Sequence, residues 1–196
     1  HFGFTLGTSF STFKYEFSPK FYEETSLLTV EMKRIPGITI GAVSDIHFGQ
    51  FFDLRALPSL VLSSRSINYY FTDNSIITKS IESVFFELPV LVKYKSVRHG
   101  NIRFYVIGGA KGSWDFGSDA QAVRDPNNSV VAIKPFSYAY EFGCGFDMYF
   151  YFFKFSPEIK LSRGINNILA PYDDIYTGIF DKFYSNFVFI SFHFEG

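Results

Sequence analysis

Apolar and polar residues alternate along much of this chain, and this alternation limits what the chain can fold into. A period of two residues is typical of a β-strand whose two faces meet different surroundings. The pattern occurs in eight segments, most of them 11 residues long. Strands of globular proteins usually have about 5–6 residues, whereas a tilted strand needs about 9–11 residues to cross a bilayer. The segments are residues 2–12, 38–48, 52–64, 84–94, 102–112, 136–146, 153–161 and 184–194.

One face of every segment is free of charged residues, and all charges within the segments lie on the other face. An Arg or Lys that faces lipid at the bilayer midplane costs about 2–4 kcal/mol, so a bilayer selects against it. We therefore expect the apolar faces to point outward into lipid and the charged faces to line the interior as a network of ion pairs. Examples of the outward residues are Val90, Phe104, Tyr140 and Ile190. The interior candidates, five acids and six bases, are Asp45, Asp53, Arg55, Glu87, Lys93, Arg103, Lys111, Glu141, Lys154, Glu158 and Lys160.

The connections between the segments alternate strictly between short and long, and the long ones are rich in Asn, Asp, Ser, Gly and Pro. Outer-membrane barrels have short periplasmic turns and long extracellular loops, and closure of the sheet leaves no unsatisfied edge in lipid. The sequence thus predicts an all-β fold, an eight-stranded antiparallel up-and-down transmembrane β-barrel. We expect one domain over residues 1–196, in the outer membrane of a Gram-negative bacterium. The short connections are residues 49–51, 96–101 and 147–152, and the long ones are residues 14–37, 65–83, 113–135 and 162–183.

A soluble β-sandwich or a lipocalin-like barrel is the alternative fold, because its strands also alternate, with the apolar face inward. The chain has 27 Phe and 13 Tyr, and only 19% of its residues are charged. Ordinary soluble domains have about 25% charged residues. The interior of an eight-stranded barrel is only just wide enough to be filled by its own side chains. So many aromatic rings would overfill that interior, whereas rings that face lipid meet no such limit.

Net charge and cysteine content argue against several classes of function. A net charge of −1 provides no clustered basic surface for the phosphates of a nucleic acid. Cys144 is the only cysteine, so the chain has no intrachain disulfide, cysteine zinc cluster or redox pair. The longest run without Asp, Glu, Lys or Arg is residues 1–13, which is shorter than the roughly 20 residues of a spanning helix. No signal peptide precedes the first segment, so an exported protein with this sequence is expected to be the mature or trimmed form.

Two histidines, His47 and His193, lie on the inward face near the short connections. A pair of His and Ser in a barrel wall can form a lipid-modifying hydrolase. However, the chain has neither a Gly-x-Ser-x-Gly nucleophile elbow nor a His-Glu-x-x-His zinc motif. We therefore expect no catalytic residue, no metal site and no cofactor, and we keep an enzyme as an alternative function.

Two of the long connections contain apolar residues. A loop that faced only water would have little reason to expose them. Leu27 and Leu28 lie in the first long connection, and Trp114 and Phe116 lie in the third. Loops on a rigid scaffold often carry recognition, and exposed apolar patches usually mark an interaction surface. We expect these four residues either to contact a partner protein or to cap the barrel mouth, and the sequence leaves both interpretations open.

Four parts of the sequence resemble the PorT-like outer-membrane β-barrel family. The string FELPVLVKY at residues 86–94 is similar to the one that opens the fourth strand of that family. SRGINN at residues 162–167 is similar to the end of its seventh strand, and RALP at 55–58 with SSR at 63–65 is similar to its third strand. The opening HFGFTLG at residues 1–7 is similar to the start of such a barrel.

This resemblance implies an accessory component of the type IX secretion system, which exports proteins across the outer membrane and supports gliding motility. The implied partners are the bilayer and other membrane proteins of that system, and no catalytic residue is carried over. Phe194, preceded by apolar residues at alternate positions, resembles the terminal aromatic signal that the barrel-assembly machinery reads. From the residues alone, an adhesin or surface-recognition barrel and a lipid-modifying enzyme remain alternatives.

Overall fold

The computed structural model describes residues 1–17, 27–71, 76–116, 134–168 and 180–196, with the backbone alone for 12–17, 27–34, 64–71, 76–83 and 180–183. These residues form ten β-strands. None of them belongs to a helix with the length and hydropathy that a membrane crossing requires. The strands are β1 (Phe2–Phe17), β2 (Leu27–Arg34), β3 (Pro36–Phe48), β4 (Phe52–Ala56), β5 (Ser59–Phe71), β6 (Ile76–Lys95), β7 (Ile102–Asp115), β8 (Phe136–Tyr149), β9 (Lys154–Gly164) and β10 (Phe180–Glu195).

The ten strands form a closed antiparallel barrel with eight staves, as the alternation predicts. A stave is here one of the eight strand positions around the wall, which one strand or two consecutive strands can occupy. The first strand, β1, pairs with the last strand, β10, on one side and with β3 on the other side, so the sheet has no free edge there. Two staves each consist of two strands. β2 and β3 follow each other along one stave, and β4 and β5 follow each other along the next. The barrel is therefore built from the eight predicted segments, each extended beyond its predicted ends at one or both sides.

Prolines cause the division of the predicted segment 52–64 into β4 and β5. Pro58 has no N–H to donate, and it lies beside Pro89 on the neighbouring strand β6. The backbone still bonds around them, since Leu57 N donates to the Pro89 carbonyl at 3.2 Å and Ala42 N donates to the Pro58 carbonyl at 2.9 Å. Because the pairing register with β3 is the same on both sides of the break, the stave continues through it.

The stagger of the strands sets the tilt of the barrel wall. The cross-strand partners lead from Phe2 through Ser44, Ala56, Val90, Ala110, Tyr140, Arg163 and Asn186, and they return to β1 at Thr12. One circuit therefore climbs by ten residues, from position 2 to position 12. With a rise of about 3.3 Å per residue and about 4.8 Å between strands, this stagger corresponds to a tilt of about 40°.

The two faces of the wall have the predicted orientation. The side chains of Val90, Phe104, Tyr140 and Ile190 are 38% to 64% exposed on the outside. Glu87 and Glu141 are buried inside the barrel, whereas Arg103 and Lys154 are partly exposed near the short turns. The interior also contains two apolar clusters. They are Val43, Leu57, Leu91, Tyr105 and Ile107, and Val61, Phe85, Phe187 and Phe189.

The predicted long connections are partly wrong. β1 continues to Phe17 and β2 occupies Leu27–Arg34, so strand fills much of the connection predicted at 14–37. β5 and β6 pair as far as Tyr70 and Ile76, which leaves little of the loop predicted at 65–83. The antiparallel ladder continues beyond the length that a bilayer crossing needs, and there the alternation of apolar and polar residues is weaker. Within the two remaining connections, residues 117–133 and 169–179 lie outside the described residues.

Candidate functional site

The centre of the barrel is organised around Arg55, which is completely buried. Arg55 and Asp45 are direct cross-strand partners on β4 and β3, and the guanidinium donates from Nε and Nη2 to the two Asp45 carboxylate oxygens, each at 2.7 Å. It also donates to Glu195 at 2.9 Å and to Glu158 at 3.3 Å. Lys154 adds a second cation, with its Nζ 2.6 Å from Glu195. The planar fork of Arg suits several carboxylates at once, so this one side chain joins β4 to three other strands, β3, β9 and β10.

Tyr105 fills the lumen beside this cluster. Its hydroxyl donates to Glu158 at 2.9 Å, and the Lys93 Nζ lies 3.8 Å from the centre of its ring. The Tyr105 ring lies over Gly145, its partner on β8, where an added Cβ would come within 2.5 Å of the Tyr105 hydroxyl oxygen and of the Pro157 carbonyl oxygen. Gly145 therefore lets the ring lie flat against the wall, a use of glycine that is common in strands that another group approaches closely.

Two further pairs continue the network toward the short turns. Lys93 Nζ donates to both carboxylate oxygens of Asp147 at 2.9 Å, and Ser156 Oγ donates to the same carboxylate at 2.6 Å. Lys95 Nζ donates to Asp53 at 2.5 Å. All of these charged groups are buried, and each of them lies against a charge of the opposite sign. Such pairing offsets the several kcal/mol that burial of an unpaired charge costs.

A second layer of charge lies farther along the barrel, toward the long connections. Lys111 Nζ is 2.7 Å from Glu87 and 3.5 Å from Glu141, and Lys160 Nζ is 2.8 Å from Glu141. The ring of Phe189 lies between the two cations, with Lys111 Nζ at 4.9 Å and Lys160 Nζ at 5.1 Å from its centre. These distances are typical of cation–π contacts, which add to the ion pairs in a dry interior.

Ten of the eleven interior candidates thus belong to these clusters, and Arg103 does not. Arg103 instead donates to the backbone carbonyls of Ser96 and Gln50, at 2.8 and 2.6 Å, at the short-turn end. Among the residues whose side chains the structure describes, sequence reasoning missed four buried acids and bases. Each lies one to three positions beyond the end of a predicted segment, at a position that faces inward if the alternation of that segment is continued. Extension of the alternation would therefore have found them. They are Lys95, Asp115, Asp147 and Glu195.

The two histidines both lie beside carboxylates. His193 is buried with its Nε2 3.4 Å from Glu158, and His47 is partly exposed with its Nδ1 2.9 Å from Asp53. The His47 ring also lies 5.0 Å from the ring of His1. Among the described residues, no three His, Cys, Asp or Glu side chains are grouped so as to hold a metal ion.

Three of the four predicted loop residues, Leu27, Leu28 and Trp114, are strand residues rather than loop residues. Trp114 lies near the end of β7, and its side chain and that of Phe116 are exposed on the outer face. The Trp114 ring lies 4.6 Å from the ring of Phe136 and 6.0 Å from that of Phe116. Aromatic residues on this face typically lie at the membrane–water interface. Leu27 and Leu28 begin β2, and their side chains lie outside the described residues.

The short-turn end has an aromatic rim around a polar mouth. Phe150, Tyr151, Phe152 and Phe153 follow one another in the turn between β8 and β9, and Tyr151 and Phe152 are among the most exposed apolar side chains that the structure describes. A cavity of about 430 Å³ opens beside this turn and contains His47, Arg103 and the Lys95–Asp53 pair. The rim has the composition of a membrane-interface girdle.

Comparisons with known proteins agree with this architecture. The family model described as "Outer membrane protein beta-barrel domain" matches residues 1–170 of the chain. The crystal structure of the outer membrane protein OprG from Pseudomonas aeruginosa is similar in fold, with a TM-score of 0.53 and 10% sequence identity. The match covers 99% of this chain and 95% of the OprG chain. No curated protein matches the chain. At this identity, the similarity to OprG shows a shared fold.

Proposed function

Because this chain belongs to the outer membrane protein beta-barrel domain family, we propose that it serves in the outer membrane as a non-enzymatic, accessory component of a protein-secretion machinery. The type IX secretion system is the machinery we propose, on the resemblance of four sequence strings to the PorT-like barrels. The expected partners are other membrane proteins of that system.

The observation that carries the proposal is the filled interior. Arg55, Tyr105 and Lys93 occupy the lumen at one level, and the Glu87–Lys111–Glu141 cluster occupies it at another. A lumen that its own paired side chains fill is a rigid scaffold rather than a passage for cargo. The working surface is then the outside of the barrel or its ends, which suits a component that binds other proteins.

The residues that carry the family resemblance hold this interior together. Glu87 and Lys93 of the string at residues 86–94 are both buried in ion pairs, with Lys111 and Asp147. Arg55 of the string RALP at 55–58 joins three carboxylates. The strings therefore specify the barrel, and the proposed partner contacts must be sought on residues outside them.

The test is deletion of the gene in the native organism, followed by comparison of the secreted proteins. The proposal predicts that many cargo proteins remain inside the cell envelope and that the wild-type chain restores their export. Crosslinked pull-down from native membranes should recover other membrane proteins of the secretion system. Cargo export at wild-type levels in the deletion strain would contradict the proposal.

The same strain distinguishes the two alternatives. A surface-recognition barrel predicts that one binding phenotype is lost while secretion stays normal. A lipid-modifying enzyme predicts an altered lipid composition that complementation with a His47→Ala or His193→Ala variant fails to restore. Both histidines lie beside carboxylates in the structure, so these two variants address the acid–base groups that such an enzyme would use.

A further inference from the structure

The lipid-facing wall has an apolar groove that the proposed function does not use. It has a volume of about 710 Å³ and lies across strands β6 to β10. Its residues include Tyr94, Val106, Cys144, Ile159 and Ile190, which are consecutive cross-strand neighbours and form one row around the wall. Clefts of this size are typical of sites that hold one small ligand.

The groove exists because a small side chain interrupts an outer face of bulky side chains. Cys144 is an exposed, small side chain that lies on β8 between the outward rings of Phe142 and Phe146. The Phe146 ring and the Phe104 ring, 6.0 Å apart, form the border toward the short turns. Gly145 also lines the groove, but a side chain there would point into the lumen toward Tyr105, so the outward recess comes from Cys144.

The surroundings of the groove identify the chemistry of an occupant. The lining is almost wholly apolar, and the outer face of an outer-membrane barrel is in continuous contact with lipid chains. One polar lining residue, Ser96, lies at the short-turn border, where its hydroxyl accepts from Phe104 N at 3.1 Å and donates to the Val97 carbonyl at 3.0 Å. The same turn carries Arg98, an exposed cation whose Nε donates to the Gly100 carbonyl at 2.9 Å and whose guanidinium lies 4.2 Å from the centre of the Tyr149 ring. A cation at the membrane surface attracts anionic lipid headgroups. An apolar length with a polar, cationic end matches a phospholipid.

We propose that this groove is a binding site for one phospholipid of the periplasmic leaflet, with an acyl chain along the row at Cys144 and the headgroup toward the turn at Ser96 and Arg98. Lipids that contact the outer wall of an outer-membrane barrel ordinarily exchange freely with the surrounding bilayer. A chain in this recess contacts side chains of five strands at once, so we expect this lipid to exchange more slowly than the others. The proposal depends only on the outer-membrane location and not on the role in secretion.

Retention of lipid during purification tests this site. The wild-type barrel, purified in detergent and examined by native mass spectrometry, is expected to keep about one phospholipid. Cys144→Trp fills the groove and should reduce the retained fraction at least fivefold. The matched control is Ala42→Trp, which adds the same ring to a small, exposed residue on β3, on the opposite side of the barrel. Both variants should migrate as heat-resistant barrels on gels.

The single cysteine allows a second measurement on the unmodified chain. After delipidation, the rate of maleimide attachment to Cys144 should fall several-fold when phosphatidylethanolamine is added back in detergent. The control chain, which carries Cys144→Ser and Ala42→Cys, should show no such protection. Equal lipid retention by wild type and Cys144→Trp, or equal protection of the two cysteines, would overturn the proposal.

Discussion

Arg55 has the largest share of the interior interactions, since it contacts Asp45, Glu158 and Glu195 while it is wholly buried. Arg55→Met would leave Asp45 with only Lys154 Nζ at 3.9 Å and would take the guanidinium away from Glu158, whereas Glu195 would keep Lys154 at 2.6 Å. Removal of one partner from a buried ion pair typically costs about 3–5 kcal/mol. We expect a loss of this size in the free energy of unfolding, measured by urea titration of the barrel in liposomes.

Arg103→Met is the matched control for this prediction. Arg103 is partly exposed, and its guanidinium bonds to the carbonyls of Ser96 and Gln50 at the end of the barrel. Its loss leaves no buried charge behind, so we expect a change of about 1 kcal/mol or less. Equal losses for the two variants would show that Arg55 does not organise the interior.

Gly145 provides a second prediction about a single position. Gly145→Ala forces a methyl group against Tyr105 and the Pro157 carbonyl, and overpacking of this kind typically costs about 1–3 kcal/mol. Gly112→Ala, on the neighbouring strand β7, meets nothing within 4 Å and should change stability by about 0.5 kcal/mol or less. Tyr105→Leu in the Gly145→Ala background should recover part of the loss. The measurement is again urea unfolding in liposomes.

Whether a residue faces the interior could be predicted from its odd or even position in the strand. Glu87 and Lys93 both occupy inward positions of the alternation in β6, and both are buried in the structure. The partners could not be predicted, because pairing crosses the lumen. Lys93 is opposite Asp53 in the strand register, yet it bonds to Asp147 on β8, the next strand but one around the barrel, while Lys95 bonds to Asp53. Only the closed three-dimensional wall determines these choices.

The strands themselves are longer than a membrane requires. β6 has 20 residues, whereas a tilted crossing needs about 9–11. The β5–β6 ladder therefore continues well beyond the bilayer on the long-connection side. The sequence did not indicate this, because alternation is imposed by lipid on one face, and outside the bilayer both faces meet water. The third predicted long connection, residues 113–135, is wrong at Trp114 for the same reason, since β7 extends past the predicted end at residue 112.

Shortening of the β5–β6 hairpin tests this account of the strands. Ser66 and Ser80 are cross-strand partners, so replacement of residues 67–79 with Asn-Gly would join them by a tight turn that favours hairpins. We expect the shortened chain to assemble and to migrate as a heat-resistant barrel on gels. Failure to assemble would mean that the projecting ladder is needed for the fold.

As a whole, the molecule is a closed wall around alternating charged and apolar layers. The cluster at Arg55 is followed by the apolar group that contains Leu57 and Leu91, then by the ion pairs of Lys111 and the rings around Phe189. The closure and the outward apolar face follow from the alternation in the sequence. The layering does not, since it depends on the stagger of ten residues, which places distant strand positions at one level.

This layering predicts that the barrel does not conduct ions. Charged groups alone can hold water, but Leu57, Leu91 and the ring of Tyr105 belong to one buried apolar cluster in the lumen, and the Tyr105 hydroxyl is bonded to Glu158. Purified wild-type protein in a planar bilayer should therefore show no steady conductance above the leak of the lipid alone.

Leu57→Ala with Leu91→Ala removes apolar side chains from this layer without unpairing any charge, so it should raise the conductance measurably while the barrel stays heat-resistant. A stable open channel in the wild type would contradict the filled interior, and with it the argument that the chain acts as a scaffold. A silent wild type and a conducting variant would instead place the barrier at this apolar layer.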